Sequence, residues 1–260
     1  MDMLAWITTA VAAAAGLLIG GYVSVLITWL PGGEPGLRRP STRCPHAATR
    51  LGAADLVPPA GWLRLRRACP ACAGSLSSSW LAAELLTAAV FAGLAVRFGP
   101  SPALPAFCYL GAVGVALALI DARHKRLPDV LTLPSYPVAL LLLGVAAVAT
   151  PDGPRHFLVA LTGLAAAWLL FFLQALSYPA GIGWGDVKLS GIVGLYLGWL
   201  GVGALVAGLF LGYLLAAVVG LALLAARRAS RKSQLPFGPF LLAGTLTVIL
   251  MSGLVGSHAA

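Results

Sequence analysis

The sequence predicts an all-α polytopic membrane protein with about eight transmembrane helices and one cytoplasmic loop domain. Of its 260 residues, 60% are hydrophobic and only 10% are charged, whereas a soluble domain carries roughly 25% charged residues. Several stretches reach the roughly 20 apolar residues that a helix needs to cross a bilayer. The basic residues gather between particular pairs of these stretches. Together, these observations exclude an ordinary soluble protein.

Eight apolar segments mark the predicted helices. The first resembles a signal peptide in position, but no basic residue precedes its apolar run, and that run is too long. The sixth is short, so we expect it to be tilted or packed inside the bundle. The segments lie at residues 4–30, 80–96, 104–120, 130–149, 156–176, 187–200, 201–226 and 238–256.

The basic residues indicate which helix ends face the cytoplasm. The formal net charge of +9 could suggest a nucleic-acid partner. Eight crossings, however, place fifteen of the 17 Lys and Arg residues on one face of the membrane. Only Arg97 and Arg155 fall on the other face. Because cytoplasmic loops carry the excess of Lys and Arg, that face is predicted to be cytoplasmic. The charges are therefore assigned to membrane orientation, and no nucleic acid is expected.

One polar segment is long enough to form a separate part of the protein. Residues 31–79 are rich in Pro, Gly and Arg, but they are too few to bury a large core. They would need a metal ion or docking against the helices. We therefore divide the chain into a first transmembrane helix (1–30), a cytoplasmic Cys-containing loop domain (31–79) and a seven-helix membrane domain (80–260).

Three aspartates lie at the predicted cytoplasmic ends of helices. Asp121 ends the third helix, Asp129 begins the fourth, and Asp186 precedes the sixth. Glu84 lies one turn into the second helix. Ionisable groups at membrane depth are costly, which makes them functional candidates. Asp129 follows Pro128 and also fits a helix N-cap, and Asp186 could cap its helix in the same way.

A pair of these aspartates could hydrolyse an amide. Two close carboxylates at low dielectric share a proton. The ionised one can accept a proton from attacking water, while the protonated one polarises the carbonyl oxygen. This chemistry needs no metal and no nucleophilic side chain. Gly183 and Gly185 would let the backbone approach the other aspartate or an extended substrate. Lys188 could extend to the cytoplasm or act on a nearby aspartate.

Two stretches together resemble the type IV prepilin peptidase family, the G-x-G-D class of membrane aspartic proteases. "IDARHKRLPDVLTLP" (120–134) has the family's Asp, six residues, Pro and Asp, and "GIGWGDVKL" (181–189) has its G-x-G-x-G-D-x-K-L. The segments "GGYVSVLITWLP" (20–31), "LVPPAGWLRLRRACPACAGSLSSSWLAAE" (56–84) and "LPFGPFL" (235–241) are also similar to family segments. The resemblance covers nearly the whole chain.

The resemblance implies a specific activity. Asp121 and Asp186 would be the catalytic pair, a choice of Asp121 over Asp129 that the chemistry alone leaves open. The family removes short basic leader peptides from prepilins and pseudopilins, the subunits of type IV pili and type II secretion systems, at the cytoplasmic face of the bacterial inner membrane. Proteolysis would need no cofactor. The residues expected to support the active site or the substrate are Asp129, Gly183, Gly185, Lys188 and Glu84.

The cysteine-containing loop resembles a part of the family that is associated with zinc binding and with N-methylation by S-adenosylmethionine. Many members have two C-x-x-C pairs there. In this chain Cys69 and Cys72 form one pair, but the other is reduced to Cys44 and His46 in "CPHA". Three cysteines and a histidine could still bind zinc tetrahedrally. The alternative is a loop with free thiols and no metal. Ser24 replaces a family Asn, so this chain departs from the family pattern at two places that bear on the methyltransferase activity and not on the peptidase activity.

Two other functions stay open at the level of the sequence. The first is an intramembrane aspartic protease with different substrates. The second is a non-enzymatic transporter that uses its membrane aspartates for ion coupling. Transporters often contain internal repeats, and no internal repeat is visible in this sequence.

Overall fold

The computed structural model describes residues 3–29, 78–178, 182–228 and 235–256, and all of the regular structure in these ranges is helical. The apolar segments form eight helices within this part of the chain. These are α1 (Met3–Trp29), α2 (Ser78–Phe98), α3 (Leu104–His124), α4 (Asp129–Ala149), α5 (Gly153–Ser177), α6 (Trp184–Leu200), α7 (Val202–Ala225) and α8 (Gly238–Gly256). The predicted all-α class is confirmed.

Six of the described helices are long and apolar enough to cross a membrane: α1 to α5 and α7. Large apolar side chains cover their outer surfaces, and Val148 on α4 is 90% exposed. Such a surface suits lipid rather than water, because soluble monomers rarely expose large contiguous apolar patches. The protein is therefore a polytopic membrane protein. The helix α6 has only 17 residues.

The chain divides into two compact units, and the first comprises residues 1–100 and 108–119. In this unit α1 packs closely against α2. A Cβ atom built on Gly20 would lie 2.6 Å from Cα of Glu84, so only glycine lets the two backbones approach this closely. The predicted division at residue 30 falls on chain outside the described ranges, and the one at residue 79 falls in the first turn of α2. The division stays a prediction.

The second unit comprises residues 101–107 and 120–260. Its central element is α6, which contacts α4, α5, α7 and α8. Twelve of the 17 residues of α6 are buried, including every residue from Leu189 to Trp199. The short sixth helix is therefore packed inside its unit, one of the two arrangements predicted from its length.

Close backbone contacts hold α5 against α6. A Cβ atom on Gly163 would lie 2.5 Å from the carbonyl oxygen of Gly194 and 2.9 Å from Cα of Gly198. Because these positions have no side chains, the backbone of α5 lies in direct van der Waals contact with the backbone of α6. Interfaces of this kind are common between membrane helices, where small residues permit close van der Waals packing. The contact fixes α6, whose first turn contains Asp186.

A short reversal joins α3 to α4. Lys125 ends α3 in the left-handed conformation, with φ of 52°, and its N–H donates to the carbonyl oxygen of Asp121 at 2.8 Å. Pro128 is extended and forms the N-cap of α4. Asp121 therefore lies in the last turn of one helix and Asp129 in the first turn of the next.

Candidate active site

Asp121 is the buried carboxylate of the site. Its exposed fraction is 5%, and its Oδ2 accepts a hydrogen bond from the backbone N–H of Gly238 at 3.1 Å. Gly238 begins α8, and the free N–H groups at the start of a helix favour a negative charge. A Cβ atom on Gly238 would lie 2.8 Å from the same oxygen. The missing side chain therefore leaves room for the carboxylate.

Asp186 lies in the first turn of α6 and is half-buried. Its own N–H donates to the carbonyl oxygen of Gly183 at 3.0 Å, and the backbone of Gly183 also hydrogen-bonds to its carboxylate. A Cβ atom on Gly183 would lie 3.4 Å from Oδ2 of Asp186. The backbone of Gly183 thus contacts both the main chain and the carboxyl group of Asp186.

The two aspartates belong to the same unit and interact electrostatically. The charge of Asp121 acts on the carboxyl group of Asp186. Each carboxylate is held by a backbone amide at a helix N-terminus, Asp121 by Gly238 and Asp186 by Gly183. The two aspartates of the predicted pair therefore share one unit, and their catalytic role stays a prediction.

Three contacts connect the sequence motif around Asp121 with the motif around Asp186. A Cβ atom on Gly185 would lie 2.9 Å from Cβ of Leu127, so the loop between α3 and α4 packs directly on this glycine. The hydroxyl of Tyr136 donates to the carbonyl oxygen of Lys188 at 2.6 Å. Lys188 also forms an ion pair with Asp129. The two motifs, far apart in sequence, form one local structure.

The side chains of Asp129 and Lys188 pair with each other and are 56% and 34% exposed, and a supporting role for either stays a prediction. The N-cap of α4 is Pro128, so the interpretation of Asp129 as an N-cap is wrong. Proline fixes an extended entry to the helix, which moves Asp129 into the first helical turn. Asp186 is also not an N-cap, because Gly183 occupies that position.

Glu84 lies in the first unit and is 3% exposed. Its Oε2 atom makes no hydrogen bond to any residue that the structure describes. A supporting role for Glu84 at the aspartates stays a prediction.

The predicted zinc ligands Cys44, His46, Cys69 and Cys72 lie outside the described residues. Within the described ranges, no three His, Cys, Asp or Glu side chains are grouped in a way that could hold a metal ion. Zinc binding by the loop stays a prediction.

Sequence reasoning missed two residues near the aspartates. Tyr213 on α7 donates a hydrogen bond to Oε1 of Gln174 on α5 at 2.5 Å, and Asp186 acts electrostatically on Tyr213. Tyr213 could have been noticed in the sequence, because it is the only residue of α7 with a polar side chain. Nothing in the sequence connects Tyr213 with Gln174, since the two are 39 residues apart.

Comparison with known proteins identifies the family. The family model of the Bacterial Peptidase A24 N-terminal domain matches residues 14–98, and that of the Type IV leader peptidase family matches residues 108–225. A prepilin leader peptidase/N-methyltransferase from Aeromonas hydrophila is 31% identical, and the match covers 95% of this chain and 92% of the relative. This chain belongs to the type IV leader peptidase family.

Other members of the type IV leader peptidase family match over similar lengths. The prepilin leader peptidase/N-methyltransferase of Dickeya chrysanthemi is 32% identical over 90% of both chains. The protein of the same name from Stutzerimonas stutzeri is 28% identical over 94% of this chain and 91% of its own. No solved structure matches the chain. Membership of the type IV leader peptidase family makes this protein an enzyme, and both Asp121 and Asp186 lie within the matched region 108–225.

Proposed function

We propose that this protein is a membrane aspartic endopeptidase that removes basic leader peptides from type IV prepilin-like or pseudopilin substrates. The observation that carries this proposal is that Asp121 and Asp186 lie in one unit, each bound by a backbone N–H group at the start of a helix. Relatives that match nearly the whole chain are prepilin leader peptidases, which supports the substrate class.

Asp121 and Asp186 hydrolyse the scissile amide without a covalent intermediate. The ionised aspartate accepts a proton from a water molecule as the water oxygen bonds to the amide carbon. The protonated aspartate donates its hydrogen to the carbonyl oxygen at the same time. Collapse of the tetrahedral intermediate then breaks the C–N bond: the leaving nitrogen takes the proton that the first aspartate accepted from water, and one hydroxyl of the intermediate returns a proton to the other aspartate. The products are a leader peptide with a new carboxylate and a mature protein with a new amino terminus.

The proposed location of the reaction is the cytoplasmic face of the bacterial inner membrane. Both aspartates lie within one turn of a helix end, and the end of α3 and the loop after it contain the exposed basic residues Arg123, Lys125 and Arg126. Excess positive charge is typical of cytoplasmic loops. At this boundary the apolar helix of a substrate can remain in lipid while its polar leader stays in water.

We also propose N-methylation of the new amino terminus, with S-adenosylmethionine as the methyl donor. The support comes from the relatives, which are prepilin leader peptidase/N-methyltransferases, and from the match of residues 14–98 to the N-terminal family model. In this reaction the amine nitrogen bonds to the methyl carbon, the sulfonium C–S bond breaks, and a proton leaves the nitrogen. No described residue is assigned to this step.

Cleavage of a defined substrate tests the proposal. Purified protein in detergent is incubated with a peptide that has a basic leader, a glycine and an apolar helix, and the products are identified by mass spectrometry. We expect wild-type protein to cut after the glycine, and Asp121→Asn and Asp186→Asn to be inactive while still folded. Asp152→Asn is the matched control, because Asp152 is exposed at the start of α5. Asp129→Asn should cause a milder loss.

Several results would contradict the proposal. Normal cleavage by either catalytic variant would exclude the aspartate pair. Ion flux across liposomes without any cleavage would favour a transporter, and cleavage only of unrelated membrane peptides would favour a different protease specificity. Addition of S-adenosylmethionine should increase the product mass by one methyl group, and an unchanged mass would exclude the second activity.

A further inference from the structure

The only polar side chain of α7 packs against Phe237, the residue before the glycine that binds Asp121. Tyr213 is surrounded in sequence by apolar residues along the whole of α7 (Val202–Ala225). A polar group in an apolar membrane helix is costly unless it has a partner or a function. Its hydroxyl donates to Oε1 of Gln174 at 2.5 Å, and Gln174 is the only glutamine in the described ranges.

Aromatic packing fixes the position of the Tyr213 ring. The ring centroid lies 5.0 Å from that of Phe237 and 5.7 Å from that of Phe171. Phe237 directly precedes Gly238, whose N–H holds Asp121. Asp186 also acts electrostatically on Tyr213. The Tyr213 ring therefore packs against the residue that precedes the hydrogen-bond donor of Asp121, and Gln174 is bonded to Tyr213.

The hydrogen bond gives Gln174 a defined orientation. Because Oε1 accepts from Tyr213, the NH₂ group of the carboxamide points away from the tyrosine and keeps two donors. Gln174 is only half-buried, so another molecule can reach it. A peptide backbone that enters an apolar site needs donors for its carbonyl oxygens, since an unpaired amide costs several kcal/mol there. The carboxamide supplies such a donor.

We propose that Gln174, oriented by Tyr213, donates a hydrogen bond to a backbone carbonyl of the substrate beside the catalytic aspartates. This inference rests on the proposed peptidase function. Gln174 contacts the substrate, and Tyr213 is a positioning residue that acts through Gln174. The Gln174 hydrogen bond positions the extended substrate segment around the scissile bond, and neither residue exchanges a proton with the substrate. The hydrogen bond stabilises the bound substrate and the transition state by the same free energy.

The kinetic constants of two variants test this assignment. Tyr213→Phe removes the hydroxyl but keeps the ring that packs on Phe237 and Phe171. We expect about a three- to tenfold increase in KM, the effect of one lost hydrogen bond, with kcat changed by less than about twofold. Gln174→Met keeps the length of the side chain and removes its donors. It should increase KM about ten- to hundredfold and leave kcat unchanged. The reason is that the lost hydrogen bond would stabilise the bound substrate and the transition state equally.

A double variant separates the two roles. If Tyr213 acts only through Gln174, then Tyr213→Phe combined with Gln174→Met has the same KM as Gln174→Met alone. The matched controls are Tyr22→Phe, an exposed tyrosine on α1, and Ser177→Ala, whose hydroxyl bonds only within α5 to the carbonyl oxygen of Leu173. Both should have wild-type KM. Thermal unfolding in detergent is measured for every variant.

The outcomes distinguish this inference from the proposed function. If Tyr213→Phe and Gln174→Met are folded and have wild-type KM, the substrate contact is wrong, while inactive Asp121→Asn and Asp186→Asn would leave the peptidase function intact. A fall in kcat with unchanged KM would also overturn it. If Gln174→Met does not fold, an unchanged KM for Tyr213→Phe is sufficient to overturn it. Wild-type protein that cleaves no prepilin-like peptide would overturn both proposals.

Discussion

Lys188 and Asp129 form an ion pair in which Nζ lies 2.7 Å from Oδ1. The two residues are 59 positions apart in sequence. Lys188 follows Asp186 by two residues, and Asp129 follows Asp121 by eight residues. Their side chains are 34% and 56% exposed. The pair is thus a solvent-accessible connection between the second turn of α6 and the first turn of α4, rather than a buried charge network.

Breaking this ion pair should affect activity more than stability. Exposed pairs contribute at most about 1 kcal/mol to folding. We expect Lys188→Met to lower the unfolding temperature slightly and to reduce cleavage several-fold, because the motifs around the aspartates lose one connection. Lys125→Met, on an exposed lysine in the neighbouring loop, serves as the control.

A charge swap tests whether the pairing itself matters. Asp129→Lys combined with Lys188→Asp should recover part of the lost activity. Recovery should be incomplete, since a lysine in the first turn of α4 opposes the helix dipole. Salt should reduce the difference between the single variants and wild type, because it screens exposed charges. If the double variant is worse than both single variants, the pair has no positioning role.

The helices could be predicted closely from the sequence because the bilayer requires long apolar segments. The seventh segment, for example, was expected at 201–226 and forms α7 at Val202–Ala225. The third was expected to end at residue 120, but α3 continues to His124. Hydropathy falls at Asp121, whereas backbone hydrogen bonding continues for another turn, as the bond from Lys125 N–H to Asp121 shows.

The long-range contacts could not be predicted in the same way. A helix that is apolar all round, such as α7, has no polar stripe to show which face meets which neighbour. Tyr213 could be recognised as unusual, but not as the partner of Gln174. The pairing of Asp121 with Asp186 was expected only because the motifs resemble a known family. The N-cap interpretation of Asp129 failed because Pro128 competes for the same position.

Gly185→Ala should disturb the contact between the two motifs. The added Cβ atom would lie 2.9 Å from Cβ of Leu127, so one of the segments must move. Overpacking of this kind costs about 1–3 kcal/mol, and Asp186 is the next residue in the chain. We expect a fall in cleavage rate of about tenfold or more, measured with the prepilin-like peptide.

Two further variants show whether the Leu127 contact is the cause. Leu127→Ala in the Gly185→Ala background makes room for the new methyl group and should restore much of the activity. Gly144→Ala on α4 is the control, because nothing lies within 4 Å of its added Cβ atom. It should be as stable as wild type or more so, since alanine favours helix by about 0.5–1 kcal/mol. Equal activity of Gly185→Ala and Gly144→Ala would contradict the prediction.

Gly238→Ala should act directly on Asp121. Its Cβ atom would lie 2.8 Å from Oδ2 of Asp121, the oxygen that accepts the Gly238 N–H. The carboxylate must move away and lengthen this hydrogen bond. A hydrogen bond to a charged group contributes about 1.5–3 kcal/mol, so we expect cleavage to fall about ten- to hundredfold. Gly203→Ala, with no neighbour within 4 Å, should keep wild-type activity. A fully active Gly238→Ala protein would show that the bond to α8 does not position Asp121.

Gly163→Ala should reveal whether the close contact between α5 and α6 supports the active site. The new Cβ atom would lie 2.5 Å from the carbonyl oxygen of Gly194. These are backbone atoms of two packed helices, so no single side chain can rotate to relieve the clash. The helices must separate, at a cost of about 1–3 kcal/mol, and α6 would carry Asp186 with it. We expect a lower unfolding temperature in detergent and reduced cleavage per folded molecule. Ala165→Val, on the exposed side of the same helix, should change neither value. If Gly163→Ala lowers the unfolding temperature but leaves the cleavage rate of the folded protein unchanged, then the α5–α6 contact stabilises the bundle without positioning the aspartate.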